Sequence, residues 1–173
     1  MGLSVAISGG IVIFSMIYLM VAFVSQGDEI SKTTLASSDA AKIESTISQT
    51  KVSIDSIGNT SSNLVDFTVS NTGSTKLWNY DKFNVIVTYD GGSSSKIRYI
   101  EQLTFEKTCS LDTGKWCLGT FSNDIQDPGI LNPGESVQIH CKLQNQLYPT
   151  NKLVQTLIST DNGVVASKSE VVP

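Results

Sequence analysis

The sequence predicts a mainly β protein in which an N-terminal hydrophobic α-helix leads into an antiparallel β-sandwich of seven or eight strands. Three observations carry that expectation. Residues Leu3–Val24 contain no charged side chain, and from Lys51 onward short runs alternate apolar and polar residues. Clusters of Gly, Asn, Asp, Ser and Pro separate those runs at strand spacing. A chain of 173 residues has room for one ordinary domain and an appendage. The expected segments are a hydrophobic transmembrane helix over 1–26, a helical or flexible stalk over 27–50 and the sandwich over 51–173.

The leading helix follows from length and composition. Leu3, Ile7, Ile11, Phe14, Ile17, Leu19, Val21 and Val24 mark its apolar surface. At about 1.5 Å per residue the run crosses a hydrocarbon core of roughly 30 Å. A cleaved secretory signal fits less well, because such a peptide has a basic leading region and an apolar run of about 7–15 residues. Here only Met1 and Gly2 precede the run. The first charges beyond it are Asp28, Glu29 and Lys32, so the α-amino group weakly favours an inner N-terminus and an outer domain. Ser4 with Ser8, and Ala6 with Gly10, have the spacing that lets a second helix approach in lipid.

Gln26–Thr50 keeps the helix formers Ala36, Ala40, Ala41, Lys42 and Glu44 around a sparse stripe of Leu35, Ile43 and Ile47. A continuous helix is the simplest expectation. Fraying around Ser31–Ser38 is the alternative, since Ser and Thr compete for backbone hydrogen bonds.

In the sandwich, Val52, Ile54 and Ile57 mark a strand over Lys51–Ile57, and Val65, Phe67 and Val69 share one face of a second over Leu64–Ser70. Phe83, Val85, Val87 and Tyr89 point inward along a third. It turns at Asp90–Gly92 into Ile97, Tyr99, Leu103 and Phe105, as a hairpin would. Asn132-Pro133-Gly134-Glu135 is a turn with proline fixing φ and glycine accepting positive φ, after which Val137, Ile139, Cys141 and Leu143 face the core. Leu153, Val154, Leu157 and Ile158 then reach a turn at Asp161–Gly163, and Val164, Val165 and Val171 close a terminal hairpin.

Charge and chemistry narrow the function. A net charge of −4 and a pI near 4.9 provide no basic surface, so counterion release gives nucleic acid little affinity. His140 is the one histidine, on the outward side of its strand, and neither a zinc site nor an activated nucleophile can be assembled around it. No catalytic residue, metal or cofactor is expected. Asp124 and Asp127 are near enough to share calcium, but their spacing matches no ligand loop, and a solvated turn accounts for them.

Cys109 and Cys117 bracket a turn-forming segment and are the candidate disulfide, worth on the order of 2–3 kcal/mol. Cys141 is expected to stay reduced as a small buried hydrophobe. Asn59-Thr60-Ser61 is a candidate glycosylation sequon in an exposed turn. Alternation turns Ile86 and Ile100 outward on paired strands, and with Trp78 and Tyr80 as aromatic anchors they form a candidate interface for a homodimer or another partner.

The helix, the Ser- and Thr-rich stalk and the segments "VDFTVSNTGSTKL", "FNVIVTYDGG" and "LNPGESVQI" resemble the archaeal flagellin superfamily, and within it most resemble the archaellum accessory proteins of the FlaF family. The resemblance implies an immunoglobulin-like sandwich outside the cytoplasmic membrane, in the archaeal pseudo-periplasm. It implies binding to the surface-layer protein, partnership with FlaG-like or other archaellum components, and a static element against which the motor works. No catalytic residue is carried over, since the family works by binding. Archaellins carry a basic leader ahead of the hydrophobic helix, and none is seen before Leu3, which favours the accessory protein. The alternative is a structural subunit of an archaellum or type IV pilus-like extracellular filament, with the first helix in the filament core.

Overall fold

The computed structural model describes residues 2–110 and 112–173, with side chains described for these except 2–6, 23–31, 59 and 60. The helix α1 is continuous over Gly2–Gln49. No proline precedes Pro128, so nothing removes a ladder donor along it. Hydroxyls bond back to the helix, as Ser15 Oγ donates to the Ile11 carbonyl at 2.9 Å. The stretch 31–38 lies within this helix.

Ile7, Ile11, Phe14, Ile17, Leu19 and Val21 are all exposed on α1. Among the described residues no helix is long and apolar enough to cross a membrane. The side chains of Leu3 and Val24, at the two ends of the uncharged run, lie outside the described residues, as do those of Ser4 and Ala6.

The chain forms two compact units, Met1–Ser45 and Thr46–Pro173. The last turn of α1 thus belongs with the sandwich, and hydrogen bonds inside that second unit explain why. Ser74 N–H donates to the Gln49 carbonyl and Thr72 N–H to the Lys51 carbonyl, both at 2.8 Å. Asn162 Nδ2 donates to Thr50 Oγ1 at 2.5 Å. Gly73 makes this approach possible, because a Cβ there would lie 2.4 Å from the Gln49 carbonyl oxygen and the Lys51 nitrogen.

Eight strands follow: β1 Val52–Ser61, β2 Leu64–Asn71, β3 Asn84–Gly91, β4 Ile97–Phe105, β5 Lys115–Ser122, β6 Ser136–Lys142, β7 Lys152–Ser159 and β8 Val165–Val172. Their order is β1-β2-β6-β5-β4-β3-β7-β8. The first half, β1-β2-β6-β5, folds over the second, β4-β3-β7-β8. Pairing is antiparallel except at the join, where β4 and β5 run parallel for only Thr104↔Lys115 and Phe105↔Trp116. At the other end, Ile57 N–H reaches Glu170 Oε2 of β8 at 3.3 Å.

Alternation supplies the core. Val65, Phe67 and Val69 of β2, Val85, Val87 and Tyr89 of β3, Val137, Ile139 and Cys141 of β6, and Val154 and Ile158 of β7 are all buried. In β1 the inward residues Ile54 and Ile57 are three apart, and a register shift between Ile54 and Ser56 reconciles that spacing with one buried face. The same strand runs on to Ser61, so the Asn59 sequon falls in β1 and the turn lies at Ser62–Asn63.

β5 has no counterpart in the strands read from the sequence. Trp116 and Cys117 are buried in it, but a register shift between Leu118 and Phe121, spanning Gly119, breaks the two-residue period.

Candidate interaction site

Two surfaces of the sandwich unit present unpaired chemistry. The first is the outer face of the half β4-β3-β7-β8. Register places Ile86 between Gln102 and Leu157, and places Thr88 between Ile100 and Gln155. Further along the same face, Ser167 lies beside Leu157, Val165 beside Ser159 and Val171 beside Leu153. Ile100 is 72% exposed, and Val165 and Val171 are also exposed. Ile86 points outward too, yet its neighbours leave it half-buried.

The charged residues within these rows are Asp90 and Arg98, and they neutralise one another. Arg98 donates to Asp90 Oδ1 through Nε at 2.9 Å and Nη2 at 2.6 Å, while Leu153 N–H donates to Oδ2 at 3.1 Å. Burial pushes the Asp90 carboxyl up, but Arg98, the Leu153 amide and Lys96 together outweigh it and hold it below the usual carboxylate range. The face is thus rich in Ile, Val and Thr, with Asp90 and Arg98 as its one charge pair.

The outer face of the other half is different in kind. Asp66, Thr68 and Ser70 of β2 lie opposite His140, Gln138 and Ser136 of β6. His140 is half-buried rather than free in solvent, and its Nδ1 meets Asp66 Oδ1 at 2.7 Å. It also overlies Gly119, where a Cβ would come within 2.3 Å of His140 Nε2. Ser56 Oγ of β1 donates to Thr68 Oγ1 at 3.3 Å and Ser70 Oγ donates to Asp55 Oδ2, so this face is polar where the other is apolar.

The second surface is a groove of about 410 Å³ lined by Trp78, Tyr80, Phe105, Leu118 and Phe121, with Asp81 and Lys107 among its other lining residues. Trp78 is 61% exposed over it, whereas Tyr80 is buried. The Tyr80 hydroxyl donates to the Leu77 carbonyl and accepts from Leu131 N–H, both at 2.9 Å. Burial pushes this phenol far above its ordinary range. Tyr80 is therefore part of the core wall and not a free anchor. Trp78 and Tyr80 come together here, while Ile86 and Ile100 lie on the other surface.

The Phe105 ring meets the buried Trp116 ring at a tilt of 51°, with centroids 4.7 Å apart. Leu118 and Phe121 contribute to the lining but were not legible as site residues, because the strand that carries them was not. The sole sequence signal was the apolar set Trp116, Leu118 and Phe121 at irregular spacing.

Cys109 and Cys117 form a disulfide with Cα atoms 5.3 Å apart, which ties Cys109 to β5. Lys115 Nζ reinforces the loop through Glu106 Oε1 at 3.0 Å and Asp112 Oδ2 at 2.9 Å. Cys141 is free and buried, and burial followed by the Asp66 charge pushes its thiol up, which keeps it protonated. Asp127 pairs with Lys76, and Asp124 Oδ2 accepts from Gly129 N–H at 3.3 Å. Among the described residues no group of three or more His, Cys, Asp or Glu could hold a metal. The Asn59 side chain lies outside the described residues.

A double-layered, almost wholly antiparallel sheet with exposed apolar residues on two surfaces is an immunoglobulin-like β-sandwich. Residues 48–168 match the family described as conserved flagellar protein F, immunoglobulin-like domain, and the chain belongs to that family as a FlaF-like accessory protein of the archaellum. No curated protein matches the sequence.

Among solved structures the chain is similar to the archaellum periplasmic stator protein FlaG from Sulfolobus acidocaldarius, at 25% identity and a TM-score of 0.49, over 70% of this chain and 99% of that one. It is similar to the FlaF and FlaG complex of the same organism at 24% identity and a TM-score of 0.49, over 69% and 87% of the two chains. The archaeal flagellum of Methanospirillum hungatei aligns at 14% identity and a TM-score of 0.63, over 99% of this chain and 93% of that one. At that identity the likeness shows the fold alone.

Proposed function

We infer that this protein is a membrane-to-envelope tether of the archaellum: α1 anchors it, and the sandwich lies outside the cytoplasmic membrane and binds the surface-layer protein. The motor then has a static element to push against. The observation that carries the reading is the pairing, in one chain, of a sandwich of the flagellar family with the uncharged run Leu3–Val24. Over its described part, Ile7–Val21, that run exposes apolar side chains all round, and a helix of that kind needs a surrounding lipid or protein phase. The Cys109–Cys117 disulfide supports an oxidising, extracytoplasmic setting for the sandwich. The uncharged face bearing Ile86 and Ile100 is the proposed contact for a FlaG-like component or a second copy.

Capture of the detergent-solubilised full chain from native membranes tests this reading. Surface-layer protein and archaellum components should be retained, and their absence with the chain folded would reject it. A second reading, a filament subunit with α1 in the filament core, shares the helix-plus-sandwich layout that aligns with the Methanospirillum hungatei flagellum over 99% of this chain. Recovery of the protein as a major component of sheared filaments would select it.

A further inference from the structure

We propose that the outer face of β1, β2 and β6 holds a recognition pocket for an arginine side chain of a different protein, with the Asp66 carboxylate as its anionic floor. A shallow cavity of about 280 Å³ opens on that face, with Ser56, Gly58, Asp66, Thr68 and Gln138 in its lining. Strand register puts it there. Gly58 of β1 lies opposite Asp66 of β2, and Ser56 lies opposite Thr68, which faces Gln138 of β6 on its other side. Gly58 has no side chain to project over its neighbour, and a Cβ there would meet nothing within 4 Å. The cavity is smaller than the roughly 300–1,000 Å³ of small-molecule sites, a size that suits one side chain.

Asp66 sets the charge of the occupant. It is only 8% exposed, and no other charged residue lines the cavity. Its one ion-pair partner among the described residues is His140, whose Nδ1 meets Oδ1 at 2.7 Å. An ionised carboxylate only accepts, so Nδ1 donates and the imidazole holds the carboxylate in one orientation. Oδ2 has no hydrogen-bond partner among the described residues. On the neighbouring edge Lys168 is engaged, since its Nζ donates to the Asp55 carbonyl and lies 3.9 Å from Glu170 Oε2. A carboxylate withdrawn from water with one oxygen unmatched is best served by a positively charged donor.

The rest of the lining selects the shape of that donor. Beside Asp66 stand the hydroxyls of Ser56 and Thr68 and the carboxamide of Gln138, all of which offer oxygen acceptors. A guanidinium carries five N–H donors in one plane and is weakly hydrated, so it serves a carboxylate and neighbouring oxygens together. An ammonium is a compact, strongly hydrated point charge. The choice of arginine also identifies the source. Arg98 is the only arginine of this chain, and its Nε and Nη2 both donate to Asp90 Oδ1. A second copy therefore has no arginine to give, and the occupant belongs to a different protein. The pocket lies on the polar half of the sandwich, so it is independent of the apolar contact through Ile86 and Ile100 proposed above.

His140 is the one histidine of the chain, so its ring signals form a single NMR reporter in contact with Asp66. The probe is a short peptide with capped ends and one arginine as its sole charge, titrated into the detergent-solubilised full chain. The same peptide with citrulline keeps the shape and removes the charge, and one with lysine keeps the charge and removes the fork. In the protein, Asp66→Asn removes the charge, while Gly58→Val fills the cavity and leaves Asp66 in place.

The arginine peptide should shift the His140 signals saturably with a Kd on the order of 1 mM. The citrulline peptide should leave them unmoved, and the lysine peptide should bind about fivefold more weakly or worse. Asp66→Asn should weaken the arginine peptide at least about tenfold, and Gly58→Val should abolish the shift with the urea midpoint retained. Absence of saturation in the wild-type chain would overturn the proposal, as would equal binding of arginine and citrulline, and neither result depends on a variant. Equal binding of the lysine peptide would overturn the assignment to arginine and with it the exclusion of a second copy. Undiminished binding to folded Gly58→Val would place the peptide elsewhere and overturn the site. A dimer in sedimentation that is lost with Asp66→Asn would assign the pocket to a second copy and overturn the assignment to a different protein.

Discussion

Replacing Asp90 with alanine tests how β3, β4 and β7 are tied together across the outer face. Asp90 ties three strands together: it sits on β3, accepts two bonds from Arg98 of β4 and one from Leu153 N–H of β7. The residue is only 5% exposed, while the Arg98 side chain is about half exposed at 52%. Removing the carboxylate leaves the Leu153 amide without its acceptor, which costs about 1–3 kcal/mol.

The lost Arg98 pair adds less than the roughly 3–5 kcal/mol typical of a fully buried pair, because the guanidinium regains water. The two effects place the loss at about 3 kcal/mol, within a range of roughly 2–4 kcal/mol. Urea unfolding of the detergent-solubilised chain, followed by the buried Trp116, measures it. Arg98→Ala and the double variant complete the cycle, with an expected coupling of about 1–2 kcal/mol. A loss below about 1 kcal/mol, or strict additivity, would refute the reasoning.

The sign with pH follows from the depressed carboxyl. Its ordinary value is 3.8 and the folded value lies lower, so the stabilisation is complete above pH 3.8 and is lost as pH falls through the folded value. Wild-type urea midpoints should therefore drop below about pH 4 more steeply than those of Asp90→Ala.

Three further outcomes are expected. Reducing the Cys109–Cys117 bond, or replacing both cysteines with serine, should lower unfolding stability by about 2–3 kcal/mol, read as a shift in urea midpoint with and without reductant. Gly73→Ala should destabilise the sandwich by about 3 kcal/mol, since the added carbon meets backbone rather than a movable side chain, and thermal melting would show it. Ile100→Lys should leave the urea midpoint within about 0.5 kcal/mol of wild type but abolish any self-association or partner contact through that face in sedimentation. It is a cleaner probe than Ile86→Lys, because Ile86 is half-buried between Gln102 and Leu157.

The parts of this fold that were legible in the sequence are those governed by local periodicity. β2, β3 and β6 present Val-x-Phe-x-Val, Val-x-Val-x-Tyr and Val-x-Ile-x-Cys, and one buried face forces that two-residue rhythm. Gly134 and Gly163 both adopt positive φ at 84° where the turn chemistry called for it. What escaped depends on partners distant in the chain. β5 is buried through Trp116 and Cys117, but its bulge across Gly119 erases the alternation, and its place in the sheet is set by β6 and the Cys109 staple. Tyr80 read as an interface aromatic because nothing in its neighbourhood announces that Leu131, 51 residues on, will bind its hydroxyl.

The same limit explains why the open edge of β5 was invisible. An unpaired edge is a property of where β4 stops relative to β5, and no residue encodes it alone. Outward apolar residues such as Ile100 can be counted from a strand's own alternation. A missing neighbour can be recognised only after every other strand has been assigned one. The outer face and the groove therefore answer to different mutations, Ile100→Lys for the face and Trp78→Ala for the groove, and a partner lost with one but not the other is assigned to its site by that result.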